Sequence, residues 1–376
     1  MGSILQVLPA FHAGGVEQTT LLVANALAEQ GFGSFIASAG GLMTKKLHPN
    51  VMHIYLPLNT KNPYAMFSNA KKLKTIIADN HIDIIHARSR APAWSAYFAA
   101  KAMSAHFLTT YHGAYSQNFL KWHYNRVMAL GNPVIVASQY MENHVLDYYP
   151  EACCVKIPSG INTDFFSPNN FTKNTLGLKS EITDDVKVIL LVGRFTRIKG
   201  HQILLQAASK SAFRSQLVVI FVGDSKNLKL VSELKNEAEV LSIKLHVYMD
   251  EKDLRPFFNR ADVVVIPTTK PEAFGRVTVE AMSMSKVVIV NDLGASSEVL
   301  SNSDWVFSHN IVESLTQKID IAVGLNAEKA QEIGIANRSR AISFYNIEKL
   351  IEGHLQVYKG IIKAKQVASI GSCYRL

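Results

Sequence analysis

The residues best suited to chemistry are two carboxylates, Glu272 and Glu280, in the run Pro-Glu-Ala-Phe-Gly-Arg-Val-Thr-Val-Glu from Pro271 to Glu280. The apolar stretch Asp262 to Pro267 precedes it and Ala281-Met-Ser-Met follows, so the pattern predicts a buried strand, a glycine turn and a helix. With a helix start near Gly275, the amides of Gly275, Arg276 and Val277 point out of its N-terminus, where unpaired N–H groups and the helix dipole favour an anion. Glu272 then lies in the loop and Glu280 on the helix, and two carboxylates flank a phosphate-sized space. Carboxylates accept hydrogen bonds from sugar hydroxyls and cannot sit on phosphate. The matching ligand carries a phosphate between two polyols, which is the form of a nucleotide sugar. Taken alone, the same spacing also fits a helix-start carboxylate and a solvated helix position.

A second pair, Arg194 and Lys199, lies in the turn Gly193-Arg-Phe-Thr-Arg-Ile-Lys-Gly200 that follows the predicted strand Lys187 to Val192. Two cations at the carboxyl end of a strand can clamp a diphosphate and neutralise charge that grows on a leaving nucleotide. Without further context they also read as an ordinary surface pair. Near the start, the strand Ile4 to Leu8 runs through Gly14-Gly15-Val16-Glu17 into a helix, an arrangement that brings backbone close to a phosphate. The dinucleotide spacing Gly-x-Gly-x-x-Gly is absent there, which argues against an NAD enzyme.

These residues need elements to hold them. Strands and helices alternate from Ile4 to Tyr149, the passage Val155 to Pro168 is rich in proline, glycine and asparagine, and the alternation restarts at Lys187. Alternation implies parallel sheets with ligands at the carboxyl ends of the strands, where His86, Arg88 and His112 also fall. The expected organisation is an N-terminal domain over residues 1–165, a nucleotide-sugar-binding domain over 166–345, and a closing helix over 346–376 that packs back on the first domain. Two such halves leave a cleft, a preferred ligand site. Helices are predicted over residues 69–79, 252–259 and 347–364, among others, and no pattern stands out between Glu298 and Phe344.

A chain of 376 residues, 48% of them hydrophobic, is long enough for two cores. Its net charge of +9 favours anionic partners. From Gly41 to Arg126 eleven Lys/Arg stand against Asp79 and Asp83, so the excess sits in the first half. No basic, aromatic-interleaved motif accompanies it, and nucleic acid is not an expected partner. Cys153, Cys154 and Cys373 show no metal-ligand or redox spacing and are expected to be buried small hydrophobes in a reducing cytoplasm. The first residues show no basic region followed by a long apolar stretch, and no run approaches the ~18 apolar residues of a membrane span.

The segment Pro271 to Glu280 resembles the signature of glycosyltransferase family 4, retaining enzymes of the GT-B fold. The likeness extends to Gly14-Gly15-Val16-Glu17, His112, Gly160-Ile-Asn-Thr-Asp164, Gly193-Arg194 with Lys199-Gly200, Val222-Gly223-Asp224, Asp262 to Pro267 and Phe344-Tyr345. It implies an α/β chain with two Rossmann-like, doubly wound domains facing a central cleft. It also implies that Glu280 holds ribose hydroxyls, that Glu272 holds the donor sugar's hydroxyls, and that Arg194 and Lys199 bind the diphosphate with the amides of Phe274, Gly275, Arg276 and Val277. Gly15 would let the first domain approach the same phosphates, and His112 would lie over the sugar near the reacting carbon. The family's chemistry retains anomeric configuration without a metal or other cofactor, and Asp-x-Asp, the metal-nucleotide ligand of the other large glycosyltransferase fold, is absent.

Thr60-Lys-Asn-Pro63, His86-Ala-Arg-Ser-Arg-Ala-Pro-Ala-Trp94 and Thr110-Tyr-His-Gly-Ala-Tyr115 resemble the subgroup associated with lipopolysaccharide core and related envelope glycans. The resemblance implies transfer of a hexose from a GDP- or UDP-sugar to a glycolipid or oligosaccharide acceptor. It places the protein in the cytoplasm, peripheral at the inner face of the membrane. Lys45, Lys46, Lys61, His86, Arg88 and Arg90 would meet a phosphorylated acceptor or an anionic membrane surface, and the same charges also fit a solvated basic face. Ser225 and Tyr248-Met-Asp250 depart from the family pattern and leave the nucleobase open. A nucleotide-sugar epimerase and a silent glycan-binding or assembly protein are the alternative readings.

Overall fold

The computed structural model describes residues 2–12, 14–116, 118–170 and 186–373, and the chain divides into two compact units. One comprises Met1–Gly160 with Ile347–Leu376, the other Ile161–Asn346. The first unit runs β1 (Ser3–Val7), α1 (Gly15–Glu29), β2 (Gly33–Ser38), β3 (Val51–Tyr55), α2 (Pro63–Asp79), β4 (Ile84–Ala87), α3 (Arg90–Met103), β5 (His106–Tyr111), α4 (Phe119–Asn125), β6 (Val134–Val136), α5 (Gln139–Tyr148) and β7 (Cys154–Lys156). The second runs β8 (Lys187–Val192), α6 (His201–Lys210), β9 (Leu217–Gly223), α7 (Leu228–Val240), β10 (Lys244–Met249), α8 (Arg255–Arg260), β11 (Val263–Ile266), α9 (Arg276–Ser283), β12 (Val287–Asn291), α10 (Ser296–Leu300), β13 (Val306–Phe307), α11 (Val312–Val323) and α12 (Ala327–Phe344). The chain then returns to the first unit as α13 (Ile347–Cys373).

Each unit is built on a parallel sheet, in the order β3-β2-β1-β4-β5-β6-β7 in the first and β10-β9-β8-β11-β12-β13 in the second. The order reverses between β1 and β4 and again between β8 and β11, and ligands of such sheets collect at the carboxyl ends of the strands beside the reversal. Parallel strands are covered on both faces, so every residue of β4, β11 and β12 is buried, and β11 reads as an unbroken apolar run. Leu350, Leu355 and Tyr358 of α13 pack with Ile4, Ile84 and Leu108 in the first unit's core, so the sheet of residues 1–160 is finished by the last helix.

Several elements differ from the sequence pattern for identifiable reasons. Helix α2 begins six residues earlier than its apolar periodicity suggests, because the Asn62 side chain accepts from the Tyr64 amide at 2.9 Å and Pro63 opens the first turn. Helix α8 begins three residues later than expected, after Asp253, whose carboxylate accepts from the Arg255 amide at 3.0 Å. Helices α11 and α12 fill a region without a clear pattern. In α12 the buried positions are Gly334, Asn337 and Ala341, small or polar residues that leave no apolar stripe to read. Cys153 is exposed and Cys154 half-buried, contrary to the expectation of buried thiols, because β7 is the edge strand of its sheet. No described helix is long and apolar enough to cross a membrane.

Candidate active site

In the second unit, the turns after β8 and β11 meet at the point where the strand order reverses. The Gly193 amide bonds to the Val222 carbonyl at 2.9 Å, Arg194 follows, and a short helical turn, Arg197–Lys199, leads to Gly200. Gly200 has φ +74°, and a Cβ there would stand 1.9 Å from the Pro267 carbonyl oxygen just beyond β11. Only glycine combines that conformation with that approach. A Gly200→Ala variant is expected to destabilise the second unit by about 1–3 kcal/mol, measured as a loss of chemical-denaturation stability; an unchanged midpoint would show that the turn relaxes freely. The Thr269 amide bonds to the Ile198 carbonyl at 2.7 Å and locks the two turns together. In consequence Lys199 and Glu272, 73 residues apart in sequence, form a direct ion pair with both side chains 20% exposed. Arg194 is exposed, and among the described residues its guanidinium makes no recorded hydrogen bond or ion pair.

Gly275, at φ +85°, caps α9. A glycine cap has no side chain to occupy the amides of the first turn, which point out of the helix end. Phe274 is buried against the Tyr345 ring, 5.5 Å between centroids, which anchors the loop from below. A Cβ on Gly275 would lie 2.7 Å from Ser296 Oγ and 3.1 Å from Thr278 Oγ1. Both hydroxyls are fully buried, and neither has a hydrogen-bond partner among the described residues. The sequence motif places Thr278 and Ser296 near the site without marking either as polar groups in need of a partner.

Glu280 is 7% exposed, so it is not a solvated helix position. Burial pushes its carboxyl up to about 7, and Arg276, whose guanidinium stands 3.7 Å away, offsets only part of that rise. Arg276 thus contributes a side chain to Glu280 as well as an amide to the helix end. Val277 is half-buried in the same turn. Ser225 and Asp250, the two departures from the resembled pattern, meet each other: the Ser225 amide donates to Asp250 Oδ1 at 3.1 Å.

In the first unit Gly15 opens α1, and the Glu17 carboxylate folds back against the cap residue Gly14, where an added Cβ would meet it at 2.2 Å. His112 follows β5. Its Nε2 is shut off from solvent without a hydrogen-bond partner among the described residues, and burial, reinforced by the Arg88 charge, pushes the imidazole down to about 3. His86 and Arg88 are not surface groups for an acceptor. They are fully buried, because α13 supplies their partners: His86 Nδ1 to the Tyr358 hydroxyl at 2.7 Å, and Arg88 to His354 Nε2 at 3.2 Å, with Gln6 on the other side. Arg90 is half-buried, bonded to Asn125 at 3.0 Å and stacked 4.1 Å from the Tyr115 ring. Lys45, Lys46 and Lys61 are exposed. A cavity of about 550 Å³ lies at the amino end of β5 among Lys101, His106, Pro133 and Ile361, the opposite end from His112, and it holds none of the residues above.

Residues 13–165 match the family model for Glycosyltransferase Family 4, and residues 174–340 match that for Glycosyl transferases group 1. A crystal structure of a glycosyltransferase from Rickettsia africae is 34% identical, covers 96% of this chain and 99% of its own, and superposes with a TM-score of 0.87. The lipopolysaccharide 1,2-N-acetylglucosaminetransferase of Salmonella typhimurium is 25% identical over 231 residues, 58% of this chain and 60% of that relative. The alignment thus spans under two thirds of that relative's length. Anabaena Alr3699/HepE, crystallised in complex with UDP-glucose, is 18% identical over 96% of this chain and all of its own, with a TM-score of 0.78, and shares the fold.

Proposed function

Because the chain belongs to the family 4 glycosyltransferases, whose architecture is GT-B, we propose that it moves a hexose from a nucleoside-diphosphate sugar to an envelope glycolipid such as lipopolysaccharide core, with retention of anomeric configuration. The observation that carries this reading is the cluster at the strand reversal of the second unit: the Lys199–Glu272 pair, the exposed Arg194, the glycine-capped start of α9 and the buried Glu280. Cations and amides meet a diphosphate, and carboxylates meet the polyols on either side of it. The relatives support the same direction, since the Salmonella protein acts on lipopolysaccharide by its name and the Anabaena protein was crystallised with UDP-glucose.

In this reading Glu280 accepts from the ribose hydroxyls and Glu272 from the sugar. Arg194, Lys199 and the amides of Gly275 to Val277 take up the negative charge that builds on the diphosphate as the bond from the anomeric carbon to phosphate oxygen breaks. The acceptor hydroxyl bonds to that carbon from the same face and passes its proton to the departing phosphate oxygen. His112, held neutral by its surroundings, hydrogen-bonds a sugar hydroxyl. The charge neutralisation is assigned to protein groups and no metal or other cofactor is required. We place the protein on the cytoplasmic side, peripheral to the membrane that holds its acceptor.

A thermal-shift panel of UDP, GDP and their sugar conjugates, run with and without a chelator, tests the reading. A ligand at a hundred times its Kd stabilises the folded state by about 2.7 kcal/mol, a shift of several degrees. One nucleotide family is expected to raise Tm equally in both conditions. Absence of any nucleotide response overturns the assignment of the cluster, and a response abolished by chelator overturns the metal-free chemistry.

A further inference from the structure

Helix α2 turns an unusual face to solvent. Tyr64, Phe67, Ser68, Lys71, Lys72 and Thr75 are all exposed, Tyr64 at 88% and Phe67 at 61%. At 100° per residue these positions fall within an arc of about 140°, while Asn69, Ala70, Leu73 and Ile77 on the other side are buried. Helices of soluble proteins ordinarily place such rings on the buried stripe. The rings stand at the N-terminal end of the helix, which Asn62 and Pro63 hold in a fixed direction. Lys61 is exposed just before them, and the Lys71 ammonium lies 5.1 Å from the Phe67 ring, so the lysine stem runs alongside it. Helix α3, bonded to α2 through Ser95 Oγ and the Met66 carbonyl at 2.8 Å, adds exposed Phe98 and Lys101. The helix's acidic residue, Asp79, sits at the far end, about 22 Å from Tyr64 at 1.5 Å per residue.

We propose that this face is a membrane-docking surface: Tyr64 and Phe67 enter the headgroup region of an anionic bilayer while Lys61, Lys71 and Lys72 lie on its phosphates. The proposal rests on the reading that the acceptor is a glycolipid. Interfacial helices combine these ingredients, aromatic rings below and lysines at headgroup level. Charge decides against a second copy of the chain as the occupant. Two-fold pairing of this face would set each lysine of one copy near lysines of the other, and no carboxylate stands among them to relieve the repulsion.

The test is co-sedimentation of the full chain with vesicles of phosphatidylglycerol and phosphatidylcholine in equal parts, against pure phosphatidylcholine. Binding is expected to the mixed vesicles and to weaken with salt. The Tyr64→Ser/Phe67→Ser variant is expected to lose about tenfold or more in partitioning, and the Lys61→Glu/Lys71→Glu/Lys72→Glu variant about a hundredfold. A Phe119→Ser/Leu120→Ser variant, altered at the exposed apolar pair of α4, is expected to bind normally. All variants are expected to keep the parent's Tm and its nucleotide response, since the changes are to exposed side chains of the first unit. The proposal is overturned if the parent does not bind mixed vesicles. It is also overturned if only the α4 variant loses binding, or if sedimentation velocity shows a dimer that the Tyr64/Phe67 variant abolishes. Vesicle binding that follows the expected pattern without any nucleotide response would leave the docking face standing and remove the transferase reading.

Discussion

A Glu280→Gln variant is expected to be more stable than the parent at pH 8 while losing most of its affinity for nucleotide. Folding buries the Glu280 carboxyl and raises its pKa from an ordinary 4.5 to about 7. Between those values the folded chain keeps a proton that the unfolded chain releases, so stability falls as pH climbs through the window and levels off above about 7. The full difference corresponds to about 3 kcal/mol, an upper bound because the buried amide of glutamine also needs partners. Denaturation midpoints of the two proteins should therefore lie close together at pH 5 and separate by pH 8, with the variant higher. A gap that is the same at both pH values would mean that the carboxyl does not titrate in this window. Binding runs the other way. If ribose hydroxyls donate to the ionised carboxylate as proposed, the parent's nucleotide affinity should rise with pH up to about 7, and the variant should lose it by about 10² at pH 8. The site is destabilising until its ligand arrives.

Glu272→Gln is expected to separate binding from turnover. In the free protein Glu272 neutralises Lys199 directly, with both side chains only 20% exposed. In the proposed reading a diphosphate displaces that carboxylate to reach the ammonium, and the carboxylate so released accepts from the donor's sugar. Removing its charge leaves Lys199 available from the start. Affinity for UDP or GDP alone should rise by roughly 3- to 10-fold, while turnover of the sugar conjugate should fall by about 10² because the sugar loses the group that orients it. Calorimetric titration with the nucleotide and a steady-state assay of transfer measure the two effects. Weaker nucleotide binding in Glu272→Gln would show that the carboxylate helps to hold the diphosphate loop in place and does not compete with the ligand for Lys199.

The alternation of strands and helices was readable because parallel strands buried on both faces leave dense apolar runs, such as Val263–Ile266, between amphipathic helices. The turns after β8 and β11 stood out for the same reason: glycines and charges directly follow those runs. What the pattern could not supply was pairing across distance. Lys199 and Glu272 are neighbours through 73 residues of chain, and Arg88 reads as a solvated cation until His354, 266 residues later, is seen beside it. Nor could it show that Tyr64 and Phe67 face solvent, since apolar spacing on a helix reports a stripe and not what covers it. Thr278 and Ser296 are invisible in another way, because their distinction is that their buried hydroxyls find no partner among the described residues.

The first unit is written in two places, with the whole of the second unit inserted between residues 160 and 347. On the ribosome, residues 161–346 are therefore complete and able to fold while the sheet made before them still lacks α13. Until that helix emerges, Arg88 has no His354, His86 has no Tyr358 hydroxyl, and Ile4, Ile84 and Leu108 lack the face of α13 that covers them. The usual order of synthesis, in which the earlier domain is finished first, is inverted: the second unit matures first, and the first stays an open nascent sheet until α13 has been made.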